Sequence, residues 1–272
     1  MATAVRKPVT QRRRHGAGAL RMFVRIVPSI LFLFACLVAW TLAVHIFDIK
    51  PYVLPTPMQI LDRTVHDWDL LWMHSLVTLR ETVLGFVLGS LIGFVLAILI
   101  AASRMLREMI YPLLIASQAV PKLAIAPLLV IWFGFGIWPK VVVTILLVFF
   151  PVAITSAEGL MTTDKNLLTL LRSVNASPLQ VFLKVKVPQA LPHVMSGLRI
   201  GITLAVVGAV VGEWVGASEG LGYLIISANS RLDSVLSFSA VFVLVVMGVV
   251  LFLVLEALGR LIAPWERQQH VS

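Results

Sequence analysis

LLTLLRSVNASPLQVFLKVKVPQALP, Leu167–Pro192, is the longest stretch without a membrane-type apolar run between the first such run and the last third of the chain. Its local chemistry is well specified. Lys165–Val174 has the apolar spacing of a short helix, with Leu167, Leu168, Leu170, Leu171 and Val174. Asn175 follows at the position after a helix end, where Asn is second only to Gly in tolerating the left-handed conformation. Ser177 is a good N-cap, Pro178 fits the first helical position, and Gln180 completes a capping box. A second helix is expected from there, carrying Lys184 and Lys186 and stopping near Pro188. The stretch therefore predicts a basic helix–turn–helix between two hydrophobic spans.

On both sides the chain turns apolar. Of its 272 residues, 59% are hydrophobic and 13% are charged, against about 25% charged in soluble domains. The apolar residues come in long runs, which makes lipid their solvent and predicts an all-α polytopic membrane protein. The uncharged run at 26–47 is long enough to span, and too long for a signal-peptide core. It follows a basic tail, 1–25, which holds seven of the 22 Lys and Arg. That clustering makes the net charge of +9 a membrane-anchor signal rather than a nucleic-acid signal. The single cysteine, Cys36, permits no internal disulfide, and the six His show no metal-ligand spacing.

Residues 48–81 hold Pro51, Pro55 and Pro57 with several acids, and are expected to form an external loop with a surface helix. Thr82–Ser103 is the second span. Its Gly85, Gly89, Gly93, Ala97 and Ala101 recur every four residues, a stripe that lets another helix backbone approach. Met109–Gly136 is interrupted by Pro112, Pro121 and Pro127, which predicts a broken span. Pro139–Lys140 is expected to close a hairpin into a fourth span, Val141–Ala157. Val194–Ser218 is the fifth span, Gly220–Asp233 a loop, and Val235–Leu255 the sixth, followed by a tail at 263–272. Six spans put both termini on one side. Fifteen Lys and Arg fall on that side, including Arg104, Arg107, Lys184 and Lys186. Five fall on the other: Lys50, Arg63, Arg80, Lys140 and Arg231. The positive-inside rule then makes both termini and Leu167–Pro192 cytoplasmic.

Leu167–Pro192 resembles the cytoplasmic "EAA" loop of permease subunits of bacterial ABC importers. That family has Glu-Ala-Ala, three residues, Gly, nine residues, then Ile-x-Leu-Pro. Here Thr169, Leu170 and Leu171 stand at Glu-Ala-Ala, Asn175 at the Gly, and Val185, Val187 and Pro188 at Ile, Leu and Pro. The spacing is kept while the Glu, both Ala and the Gly are replaced. GLRIGITLAVVGAVVGEWVGASEGLGYLI (Gly197–Ile225) and IAPLLVIWFGFG (Ile125–Gly136) extend the likeness toward the nitrate/sulfonate/taurine branch, over roughly Leu54 to Trp265.

The resemblance implies a MetI-like core of five helices within 82–262, with ATPase-coupling helices at 164–187. It implies a second copy of the chain, two cytoplasmic ABC ATPases that use ATP and Mg²⁺, and a periplasmic substrate-binding protein. The coupling residues would be Thr169, Leu170, Leu171, Arg172, Val174, Asn175, Ala176, Ser177 and Pro178. This chain has no GxxxxGK[ST], so it would carry no nucleotide site, cofactor or catalytic group of its own. The implied substrate is a small anion such as a sulfonate, taurine or nitrate, or a vitamin precursor such as a thiamine pyrimidine or riboflavin. The alternative is a stand-alone secondary transporter or channel; the lack of likeness between halves argues against it.

For the pathway or its gate, the candidates are Ser117, Gln118, Pro121, Lys122, Gly208, Gly212 and Glu213. Lys122 and Glu213 are the charged groups deepest in apolar runs. Each would cost about 2.5–3.5 kcal/mol at the bilayer centre, so each is expected to face protein or water. Structural alternatives are an internal ion pair for these two, and repair of carbonyls freed by Pro121 for Ser117 and Gln118. Gly208, Gly212 and Glu213 are expected on or next to the contact between two copies, and Arg199 as an anchor at the inner interface.

Overall fold

Long apolar runs leave their backbone no water to bond with, so each must close its hydrogen bonds internally as helix. The computed structural model describes residues 17–162, 165–173 and 175–262, and has no strand among them. The chain divides into two units, Met1–Met58 and Gln59–Ser272. The first contains α1 (Ala17–Ile46). From the boundary onward come α2 (Pro57–His66), α3 (Trp68–Ala102), α4 (Arg104–Ala116), α5 (Ala126–Phe133) and α6 (Ile137–Met161). Then follow α7 (Lys165–Ser173), α8 (Pro178–Val181), a π-helical turn at Phe182–Lys186, α9 (Val187–Gly216), α10 (Leu221–Ser230) and α11 (Ser234–Ile262). Among the described residues five helical stretches are long and apolar enough to span a membrane. The pair Arg104–Ala119 and Lys122–Phe133, bent by 83°, makes the expected broken sixth.

In the second unit α3, α6 and α9 pack on one another, with α6 in close contact with both of the others. The small-residue stripe of α3 is buried on α6, as its spacing predicts. A Cβ on Gly89 would lie 3.0 Å from Val148 Cβ, and one on Gly93 would lie 2.8 Å from the Phe149 carbonyl. α9 packs on the same stretch of α6: its Gly201, Gly208 and Gly212 lie against Val148, Thr144 and Lys140, and Gly201 also approaches Phe86 of α3. Two helices whose contact faces lack side chains thus bring backbone to backbone, and dispersion contacts replace the missing hydrophobic force. The fully buried Val148, Val152, Ala153 and Ala157 of α6 fill this core.

Five sequence expectations are corrected. α3 begins at Trp68 rather than Thr82. Its first turns carry Asp69, His74, Arg80 and Glu81, which break the apolar run without breaking the helix: Asp69 and Arg80 are exposed, while His74 and Glu81 turn toward protein. The turn before α6 is made by Gly134 and Gly136, with φ of 72° and 138°. Pro139–Lys140 already belongs to the first turn of α6, where the missing proline N–H needs no partner. Pro188 does not stop its helix. The Val187 N–H reaches back to the Phe182 carbonyl, and this wider π-turn admits Pro188 into one continuous stretch, Pro178–Gly216. Gly220–Asp233 is mostly helix, as α10. Arg199 is not a lone anchor: its Nε lies 2.8 Å from Glu256 on α11.

Candidate functional site

Two places concentrate polar chemistry, at opposite ends of the α3–α6–α9 core. The first is the α7–α8 turn. Asn175 has φ of 55°, the left-handed conformation its place after a helix predicts. The Ala176 N–H then returns to the Leu171 carbonyl at 3.0 Å and closes the helix end. Ser177 Oγ accepts the Gln180 N–H at 3.3 Å, and Gln180 Oε1 accepts the Ser177 N–H at 3.0 Å, so the capping box is complete. Pro178 opens α8. Thr169, Leu170, Asn175, Ser177 and Pro178 are exposed, while Leu171 and Ala176 are half-buried. The side chains of Arg172 and Val174 lie outside the described residues. Behind the turn is a cleft of about 570 Å³ lined by Ile98, Ala101, Ala176, Pro178, Phe182 and Lys186. The turn is thus a capped projection at the C-terminal end of α3. It offers an exposed Leu170 and a preset backbone to a partner surface.

The second place is a buried polar cluster at the other end. Glu213 of α9 is 1% exposed. Its Oε1 accepts the Thr78 hydroxyl at 2.7 Å, and its Oε2 accepts the Gly222 N–H at 2.5 Å. Thr78 Oγ1 in turn accepts the Leu221 N–H at 2.8 Å, and His74 Nδ1 accepts the Gly220 N–H at 2.9 Å, a role that requires Nδ1 to be unprotonated. Three successive backbone donors at the start of α10 are therefore satisfied by side chains of α3 and α9, as the otherwise unpaired first N–H groups of a helix require. Beside them Lys140 Nζ of α6 contacts Glu81 Oε1 of α3 at 2.6 Å, in a pair that is also buried. Gly220 and Gly222 are needed here: a Cβ on Gly220 would overlap the Glu213 carboxyl, and one on Gly222 would lie 2.8 Å from Glu213 Oε2.

Glu213 therefore has the internal partners its depth demands. Lys122 is elsewhere, at the break in the bent span, with Nζ 4.5 Å from the Phe150 ring centroid. Ser117 Oγ donates to the Leu114 carbonyl at 2.6 Å, Gln118 is exposed, and Pro121 sits at the bend. Gly208 and Gly212 are buried against Thr144 and Lys140 of α6 in the same chain. The sequence reading missed Thr78, Glu81 and Lys140, which it assigned to a loop and a hairpin. A signal was present: Glu81 continues the four-residue stripe of Gly85, Gly89 and Gly93 one step upstream, so it had to share their buried face.

Comparisons with known proteins agree with this architecture. Residues 85–268 match the family of binding-protein-dependent transport system inner membrane components. A probable ABC transporter permease protein of Haemophilus influenzae is 41% identical over 231 residues, covering 85% of this chain and 94% of that protein. The formylaminopyrimidine transport permease protein ThiX of Halalkalibacterium halodurans is 36% identical over 250 residues, covering 92% and 99%. Among solved structures, an inward-facing form of the MetNI methionine ABC transporter superposes with a TM-score of 0.61 at 20% identity, over 70% of this chain and 95% of that one. This last likeness concerns the fold alone.

Proposed function

The chain belongs to the family of binding-protein-dependent inner membrane transport components and is the permease subunit of an ABC importer, and we propose that two copies of it form one pathway in the bacterial inner membrane. It is not an enzyme; the family places ATP hydrolysis in a separate ATPase subunit, and a binding protein delivers the substrate. The observation that carries the coupling role is the α7–α8 turn, with its left-handed Asn175 and its closed capping box at Ser177. A coupling element must transmit force without bending, and a turn whose backbone donors and acceptors are already paired does so. Thr169–Pro178 inserts into a groove on the ATPase. Closure of the ATPases moves α7 and α8, and the continuous helix from Pro178 to Gly216 carries that movement into the membrane.

The fifth span lines the pathway with the face that α6 leaves open, where Ile200, Thr203, Val207 and Trp214 are exposed. Ser117, Gln118, Pro121 and Lys122 border the pathway from the broken span. Both termini and the α7–α8 turn are cytoplasmic, by the distribution of Lys and Arg. The substrate class favoured by the ThiX likeness is a pyrimidine vitamin precursor rather than a sulfonate or nitrate.

The test uses the assembled importer in vesicles. Asn175→Gly keeps the left-handed conformation and leaves substrate-stimulated ATP hydrolysis near wild type. Asn175→Val is β-branched, resists positive φ, and lowers transport and stimulated hydrolysis together while membrane insertion stays normal. Unchanged coupling in Asn175→Val rejects the docking role. Uptake of formylaminopyrimidine but not of taurine supports the substrate class, and the reverse rejects it.

A further inference from the structure

Two carboxyl groups and one ammonium share the α10 end of the core. Glu81 and Glu213 are each 1% exposed, and Lys140 is 7% exposed. With all three ionised the cluster would hold a net charge of −1 away from water, an arrangement that buried ion pairs tolerate poorly. The hydrogen bonds show where the imbalance lies. Glu213 receives a donor on each oxygen, from Thr78 and Gly222. Glu81 receives Lys140 on Oε1 only. Its Oε2 is buried and has no donor, and the neighbouring carboxyl is that of Glu213, held by Thr78 one helical turn away on α3. Two carboxylate oxygens facing each other without a hydrogen repel, and a buried acceptor without a donor is itself costly.

We propose that Glu81 and Glu213 form a proton-binding site, with one proton resident on Glu81 Oε2 and donated to Glu213. The proton gives the orphaned oxygen its partner, turns repulsion into a charge-assisted hydrogen bond, and brings the cluster to neutrality. Each Glu213 oxygen already accepts a donor, whereas Glu81 Oε2 has none, so the proton is assigned to Glu81. The other charged and titratable groups near the pair are few. On α3 itself there is His74, which accepts from Gly220. Lys140 comes from α6, and Glu219 precedes α10 near His74. On α10 Tyr223 stacks 6.1 Å from His74. The charged side chains of α11, Glu256 and Arg260, are engaged with Arg199 and with each other. The proton therefore stands between the Lys140–Glu81 hydrogen bond and the cap of α10. Its loss sets Glu81 against Glu213, and the α9–α10 turn is what must yield.

Infrared spectroscopy of the purified full-length permease reads this site directly, independently of transport. Expected is the C=O stretch of a water-excluded carboxylic acid at neutral pH, seen as a wild-type band absent from Glu81→Gln. Gln reproduces the protonated acid, with an oxygen for Lys140 and an N–H for Glu213, so this variant should keep the wild-type melting temperature. Lys140→Met removes the positive charge and should draw a second proton, doubling the band. The proposal is overturned by a wild-type spectrum without such a band, by a band that survives Glu81→Gln, or by a single unchanged band in Lys140→Met. Because the wild-type spectrum alone can refute it, misfolding of a variant does not shelter the idea.

Discussion

Gly212→Ala tests the contact on which the core depends. A Cβ at 212 would lie 2.7 Å from Lys140 Cα and 2.9 Å from Lys140 Cβ, whereas ordinary contact begins near 3.4 Å. The closest neighbour is backbone, so α9 and α6 must part by about 0.7 Å, the gap between 2.7 and 3.4 Å. Overpacking of this kind costs about 1–3 kcal/mol. Ala also gains roughly 0.8–1 kcal/mol over Gly inside a helix, which partly masks the clash. Gly248→Ala is the matched control. It lies inside α11 and gains the same helix preference, yet its Cβ would meet only Val206 Cγ2 at 3.8 Å. The difference between the two variants therefore isolates the steric cost, and Gly212→Ala should be less stable than Gly248→Ala by about 1–3 kcal/mol. Unfolding of the purified permease by titrated denaturing detergent, followed by circular dichroism, measures it. Equal stability of the two variants, or the opposite order, would refute the packing of this α9 face on α6 and return Gly212 to a contact between copies.

Other expectations follow from single contacts. Ser177→Ala removes the cap of α8 and should cost about 0.5–2 kcal/mol locally, read as faster amide exchange at Gln180 with exchange in α9 unchanged. Glu213→Leu leaves the Gly222 N–H and the Thr78 hydroxyl without their buried acceptor, a loss of about 1–3 kcal/mol; the same unfolding titration reads it, and a gain in stability would contradict the cluster geometry. Gly220→Ala forces a side chain into φ of 112° and into the Glu213 carboxyl, so amides at the start of α10 should lose protection while those of α3 near Gly89 keep theirs.

Much of this protein was legible along the chain, for a physical reason. A membrane helix closes its backbone hydrogen bonds with neighbours three to five residues away, so length and apolarity suffice to reveal it. The α7–α8 turn was legible on the same ground: Asn175, Ser177, Pro178 and Gln180 each act on backbone within a few residues. The glycine stripe of α3 announced a close neighbour by its period alone.

What the stripe could not say is which helix that neighbour is. Partner choice rests on the shapes of whole faces, and only the packed structure brings both α3 and α9 onto Thr144 and Val148 of α6 and so removes Gly208 and Gly212 from the surface. The polar cluster shows the same limit more sharply. Glu81, Lys140 and Glu213 are far apart in sequence, and each of the first two sits where charges interrupt an apolar run, which by itself signals water. Only when α3, α6, α9 and α10 converge do those charges find each other. A buried charge is tolerable because of its partners, and partners distant in sequence are brought together by tertiary structure alone.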